Sequence, residues 1–181
     1  MATVLVPLAQ GCEELEAVTL IDLLRRAGVT VVVAGLEAGP VTASRGVVLL
    51  PEILLDDALD RDFDMVVLPG GLGGAQRLEA DQRIAALLRR MAAQGRYVAA
   101  ICAAPKVLAS AGLLKDRKAT AYPGILDGQT EIQLSSAAVV RDGTFITSRG
   151  PGTAMDFALT LVEILCGRET RATVEAALQR P

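Results

Sequence analysis

The residue best placed to do chemistry in this sequence is Cys102, in the stretch "YVAAICAAPKVLASAG" (97–112), where an apolar run gives way to a helix-like one. A thiolate at such a junction faces the free N–H groups and the positive dipole end of the following helix, and both lower a thiol pKa. The flanking Ala100, Ala103 and Ala104 are small, as a tight strand-to-helix elbow carrying a nucleophile requires. The competing reading is a packed, inert cysteine, one of the commonest uses of the residue. Position alone does not separate the two.

Glu16, in "GCEELEAV" (11–18), is the second candidate. In a helix, Leu20, Leu23 and Ala27 fall on its face, so a carboxylate heads an otherwise apolar stripe. Burial there would raise its pKa. Protonated, it could donate a hydrogen bond to a thiolate; ionised, it could act as a base. The plainer reading is a helix-end acid reaching water. Glu13 and Glu14 fit as first-turn acids that complement the helix dipole. In "LPGGLGGAQ" (68–76) the spacing is not that of a dinucleotide fingerprint. Gly70 and Gly71 could instead offer backbone N–H groups to a developing oxyanion, or simply form a tight turn. Arg45 in "TASRGV" and Arg149 in "TSRGPGT" could bind anionic groups, although surface arginines ordinarily serve solvation. Cys12 reads as a packed small residue that could also approach Cys102 as a resolving thiol, and Cys166 at a helix end carries no evident chemistry.

Composition narrows the options. The 181 residues contain three cysteines without CxxC spacing and no histidine. That removes Cys-His nucleophile pairs, histidine metal sites and the commonest general base, and no metal or other cofactor is expected. A net charge of -3 gives no electrostatic reason to expect nucleic-acid binding. No uncharged apolar run approaches the roughly 18 residues of a membrane helix, and the first residues lack the basic start of a signal peptide. A cytoplasmic protein of one domain, residues 1–181, is the expectation.

The elements that must position these residues alternate. "TVLVPL" (3–8), "VTVVVAGL" (29–36), "FDMVVLPGG" (63–71) and "RYVAAI" (96–101) read as strands, and "VVLLP" (47–51) as a shorter one. Helices are expected at about 13–27, 81–95, 104–112 and 153–167, the last opened by a capping box of Thr153 and Asp156. "AAVVRDGTFITS" (137–148) reads as a hairpin about Asp142-Gly143. Near-continuous apolar strands alternating with helices predict an α/β fold with a mostly parallel sheet covered on both faces. Ligands in such folds sit beyond the carboxyl ends of the strands, where Glu16, the glycine pair and Cys102 all fall.

These pieces, in order, resemble the ThiJ/PfpI family and within it the deglycase branch: "GCEELEAV", "LLRRAGVTVVVAGL" (23–36), "SRGVVLLP" (44–51), "VVLPGGLGGAQ" (66–76), "AAICAAP" (99–105) and "TSRGPGTAMDFALTLVE" (147–163). The resemblance implies a flavodoxin-like three-layer sandwich and a homodimer. It implies Cys102 as a reactive cysteine in a strained elbow, Glu16 as its buried protonated partner, and amides around Gly71 and Ala103 as the oxyanion site. The best-known member carries histidine in the segment matching "TAYP" (120–123), where Tyr122 stands here. Tyrosine donates a hydrogen bond but is a poor base at neutral pH, so the protease-like branches do not fit. Ala43 stands where the family has a second cysteine. Tyr122 and Arg45 are expected to line the substrate pocket.

The activity implied is a cofactor-independent glyoxalase or deglycase acting on methylglyoxal, glyoxal or their glycated adducts. Cys102 would be the nucleophile and Glu16 the proton shuttle. The alternative is a peroxide-responsive cysteine sensor with a stress chaperone role and no turnover. A plain ligand binder would need neither residue.

Overall fold

The apolar runs become strands of one sheet because nothing in them supplies a polar face. In this computed structural model, which describes residues 1–180, the chain runs β1 (Thr3–Leu8), α1 (Glu14–Arg26), β2 (Thr30–Gly35), β3 (Val41–Thr42), β4 (Val48–Leu49) and β5 (Ile53–Leu54). It continues through β6 (Met65–Leu68), α2 (Leu72–Ala80), α3 (Gln82–Ala93), β7 (Tyr97–Ile101), α4 (Pro105–Ser110), β8 (Lys118–Ala119) and β9 (Gln133–Leu134). The last elements are β10 (Val139–Asp142), β11 (Phe145–Ser148), α5 (Ala154–Cys166) and α6 (Arg168–Ala177).

The main sheet has seven strands in the order β10-β11-β7-β6-β1-β2-β5, parallel throughout except for the β10–β11 hairpin. Every residue of β6 and β11 is buried, and all but the first of β1 and β7, as a parallel sheet covered on both faces requires. Helices α1, α5 and α6 pack together as one group, and α2, α3 and α4 as another. Leu5, Leu20, Leu24, Leu68, Leu88 and Phe157 are fully enclosed between sheet and helices. Each contributes about 1.5–3 kcal/mol by leaving water. No helix of the described residues is long and apolar enough to cross a membrane.

Three expectations change. Val48–Leu49 does not join the main sheet; it pairs only with Val41–Thr42 in a separate two-stranded hairpin. The edge position beside β2 is taken by β5, whose two residues pair with Ala34 and Gly35. Helix α6 lies beyond the last helix expected from the sequence, and Val174 is its one buried residue. It is held to α5 by ion pairs of Arg168 and Arg171 with Glu163, and of Arg180 with Asp156. The capping box at Thr153 and Asp156 does not form: Thr153 makes no side-chain cap to α5. Its Oγ1 instead receives the Gly150 amide at 3.1 Å and lies 2.7 Å from the Ser148 hydroxyl, while Asp156 pairs with Arg180.

Candidate active site

Four parallel strands end on the same side of the sheet, and each delivers part of one site. Beyond β1 the chain turns into α1 and Glu16; beyond β6 come Gly70 and Gly71; beyond β7 comes Cys102; beyond β11 come Arg149 and Gly150. This is where the alternation of strands and helices predicted a ligand site.

Cys102 occupies the turn between β7 and α4 with φ 64°, in the left-handed region. For a residue with a Cβ this costs roughly 1–2 kcal/mol, and such strain persists only where neighbours hold it. Here both backbone groups are tied: the Cys102 N–H donates to the Ser148 carbonyl at 3.0 Å, and its carbonyl accepts from the Tyr122 N–H at 2.9 Å. The residue is 9% exposed.

Glu16 is completely buried. Its Oε2 accepts the Gly70 amide at 2.8 Å. Its Oε1 is enclosed without any partner of hydrogen-bond geometry. The carboxyl and the Cys102 thiol are close enough to shift one another, yet that contact falls short of good hydrogen-bond geometry. Desolvation pushes the Glu16 carboxyl up to about 7, against the Gly70 amide and Cys102, which lower it. A protonated Oε1 would replace an orphaned acceptor with a donor.

The thiol does not behave as position alone predicts. Burial first, then the charge of Glu16 and the contact with it, push Cys102 up to about 12, while the amides of Gly71 and Ala103 pull the other way. The thiol is therefore not acidic on its own account; its ionisation is tied to that of Glu16. The two acids titrate as a coupled pair, each shifted by the other, and the nucleophile is the arrangement with the proton on Glu16 and none on sulfur.

The other expected residues divide. The amides of Gly71 and Ala103 lie near enough to the Cys102 thiol to lower its pKa. Gly70 does not offer its amide to an oxyanion, because that N–H is committed to Glu16: a buried carboxyl needs its hydrogen bonds satisfied. Its place is sterically fixed, since a Cβ there would lie 2.6 Å from Cys102 Cβ and 2.7 Å from Glu16 Oε2. The Tyr122 ring stands beside the thiol. A Cβ built on Gly150 would be 3.3 Å from its Cδ2 and 3.9 Å from Cys102 Sγ. Arg45 is exposed on the turn between β3 and β4, its amide bonded to Glu14, and it is not in the wall of the cavities beside Tyr122. Arg149 is in that wall.

Glu13 caps α1 by accepting the Glu16 amide at 2.7 Å. Glu14 turns away to the β3–β4 turn, where it accepts from Ser44 Oγ at 3.0 Å and the Arg45 amide at 2.8 Å. Cys12 is packed, its thiol pushed up to about 11 chiefly by burial. Gly150 was missed; the run "RGPG" between a strand and a helix is the signal that marks a close backbone approach there.

Comparison with known proteins places the chain among relatives of one family. A family model, described as the DJ-1/PfpI family, matches residues 2–164. Protein DJ-1 homolog B of Arabidopsis thaliana is 46% identical over 92% of this chain, which covers only 38% of that longer protein. The Parkinson disease protein 7 homolog of Danio rerio is 44% identical, covering 96% of this chain and 95% of its own length. A Caenorhabditis elegans relative named glutathione-independent glyoxalase DJR-1.2 is 36% identical over 93% of this chain and 90% of its own. The crystal structure of Drosophila melanogaster DJ-1beta superposes with a TM-score of 0.96 at 43% identity, over 99% of this chain and 98% of that one.

Proposed function

The chain belongs to the DJ-1/PfpI family, and from that premise we propose that it is a cofactor-independent glyoxalase acting on methylglyoxal, glyoxal or their glycated adducts. The observation that carries the proposal is the buried Glu16 carboxyl, raised to about 7, set against Cys102 beneath two backbone amides. A group that exchanges protons near neutrality beside a nucleophile is what an aldehyde isomerisation needs. That a 36% identical relative bears the name of a glyoxalase supports the same reading.

The steps balance without an external oxidant. With the shared proton on Glu16, the Cys102 thiolate adds to the aldehyde carbon, and Glu16 gives its proton to the new alkoxide, forming a hemithioacetal. The Glu16 carboxylate then removes the hydrogen from that carbon, leaving an enediolate whose charge the Gly71 and Ala103 amides stabilise. Glu16 returns the proton to the neighbouring carbon, while the hydroxyl proton on the first carbon passes to the oxygen of the second. The first carbon is oxidised and the second reduced, giving a thioester on Cys102. Water hydrolyses it to lactate from methylglyoxal, or glycolate from glyoxal, and frees the thiol.

The proposal extends to self-association. Leu15 and Val18 on the outer face of α1, and Val47, Val48 and Leu50 on the adjoining hairpin, are all exposed. Glu14 binds the hairpin turn to the start of α1, so the two apolar edges lie together. A second copy of this chain is the partner proposed for them.

The test is lactate formation from methylglyoxal by the wild type, Cys102→Ser and Glu16→Gln, with the thiol titrated alongside. Cys102→Ser should abolish turnover. Glu16→Gln removes the charge that raises the thiol, so Cys102 should ionise at lower pH. Turnover should nevertheless fall by on the order of 10²-fold or more, as for loss of a general base. Unchanged turnover in Glu16→Gln would eliminate it as the base. One oxidation per thiol with peroxide, and no lactate, would mark a sensor instead.

A further inference from the structure

Two cavities open beside Tyr122. One, of about 280 Å³, runs along Arg149, Gly150, Pro151 and Thr153. The other, of about 450 Å³, lies among Leu126, Leu134, Ser135 and Ser136. Tyr122, Pro123 and Arg149 border both, which makes them two lobes of one cleft. Cys102 is not itself in the wall of either cavity; the smaller one comes near it at Gly150, where an added Cβ would lie 3.9 Å from Cys102 Sγ. Spaces of roughly 300–1,000 Å³ hold ligands of drug size. A three-carbon oxoaldehyde would leave most of this cleft empty.

Arg149 is half-buried in that wall. Its guanidinium makes a single hydrogen bond, from Nη1 to the Ser136 carbonyl at 3.3 Å. The other half-buried arginines, Arg83, Arg117 and Arg171, each pair with a carboxylate. Arg149 alone of them has no such partner among the described residues; even Asp127, which shares the outer lobe, is not paired with it. A partly desolvated guanidinium with unused donors favours an anion in front of it, and its planar fork matches a carboxylate.

The segment that presents it is fixed. The Arg149 amide donates to the Ala138 carbonyl at 3.3 Å. The Gly150 amide donates to Thr153 Oγ1, which lies 2.7 Å from the Ser148 hydroxyl. The Ser148 carbonyl in turn receives the Cys102 amide at 3.0 Å. Arg149 and the thiol are thus held on one short stretch of hydrogen-bonded backbone.

We propose that Arg149 is an anion-binding residue that sets specificity, and that the cleft takes oxoaldehydes whose chain ends in a carboxylate, the carbonyl at Cys102 and the carboxylate at Arg149. The inference deepens the glyoxalase reading and rests on it for the reacting end, while the anionic subsite can be tested without turnover. Levulinate, a keto acid without an aldehyde, and its neutral methyl ester are the probes, titrated calorimetrically into the wild type, Arg149→Met and Arg149→Lys. Levulinate should bind the wild type more tightly than its ester. Arg149→Met should weaken levulinate at least roughly tenfold, the range for one charge-assisted hydrogen bond, and erase the preference; Arg149→Lys should restore part of it. Turnover of dioxovalerate against its methyl ester should show the same preference in kcat/KM, expressed through KM. Equal binding of levulinate and its ester, no levulinate binding, or unaltered affinity in Arg149→Met would overturn the proposal. If neither oxoaldehyde is turned over while levulinate still depends on Arg149, the glyoxalase reading falls and the subsite stands.

Discussion

Glu16 ionises at about 4.5 when free of its surroundings and at about 7 in the folded chain, chiefly because burial disfavours the charge. Between those values the folded state holds a proton that the unfolded state has released. Stability from this group is therefore fully present below about 4.5 and is lost as pH rises through about 7. At about 1.4 kcal/mol for each pH interval of one, the loss across the window is on the order of 3 kcal/mol. Glu16→Gln cannot titrate, so its urea unfolding free energy should stay level across that window while that of the wild type declines, and should exceed the wild type at the upper end. Parallel pH profiles for the two proteins would mean that the carboxyl is not held protonated. The burial that destabilises the charged acid is also what makes it a proton donor and acceptor near neutrality.

At the scale of elements, the first turn of α1 distributes three acids to three destinations. Glu13 caps the helix, Glu14 clamps the β3–β4 turn, and Glu16 reaches under the thiol. Glu14 stays ionised despite its burial, because its own amide, the Ser44 hydroxyl and the amides of Val47 and Arg45 hold its carboxyl below the usual range. The turn after β6 is equally specified. The Gly70 carbonyl accepts the Glu13 amide at 2.9 Å while its own amide goes to Glu16, so this loop and the helix start form one unit. Gly71 adopts φ 83°, and a side chain there would also run into the Gly11 carbonyl. Gly70→Ala would place a methyl 2.6 Å from Cys102 Cβ and 2.9 Å from the Ile101 carbonyl oxygen. Neither neighbour is a flexible chain end, so thermal denaturation should show a loss of about 1–3 kcal/mol, with turnover falling alongside. A variant of wild-type stability and activity would show that the elbow has slack that these distances deny.

Across the whole molecule, exposed apolar side chains occur at several places, and one group of them, Leu15, Val18, Val47, Val48 and Leu50, lies on α1 and the β3–β4 hairpin, with Leu50 79% and Val48 61% exposed. Single exposed apolar residues are ordinary, but a contiguous group marks a contact surface. Light scattering should return about twice the chain mass for the wild type if a second copy covers the patch. Val48→Asp with Leu50→Asp should return the chain mass with the fold intact by circular dichroism. A wild-type monomer at micromolar concentration would remove this part of the proposal. The hairpin is free for such a role because Val48–Leu49, which reads as a sheet strand, stands outside the main sheet.

The amino-acid sequence by itself determined the alternation of strands and helices, the parallel sheet, and the placing of Cys102 and Glu16 at its carboxyl edge. These follow from local periodicity, since the apolar pattern that drives burial is written residue by residue. The apolar stripe below Glu16 allowed a buried carboxyl or a helix-end acid reaching water, and only the fold, which buries it completely, decided between them. What only the tertiary structure decided are properties set by neighbours remote in the chain. Gly70 lies 54 positions from the carboxyl that takes its amide, which cost it the oxyanion role. The thiol is driven up rather than down, because burial and then the charge of Glu16 outweigh the amides of Gly71 and Ala103. Arg45 and Arg149 look alike in sequence, each followed by glycine; only folding puts one in solvent and leaves the other unpaired in the cleft beside the thiol. Electrostatic fate depends on three-dimensional surroundings, and periodicity carries no record of them.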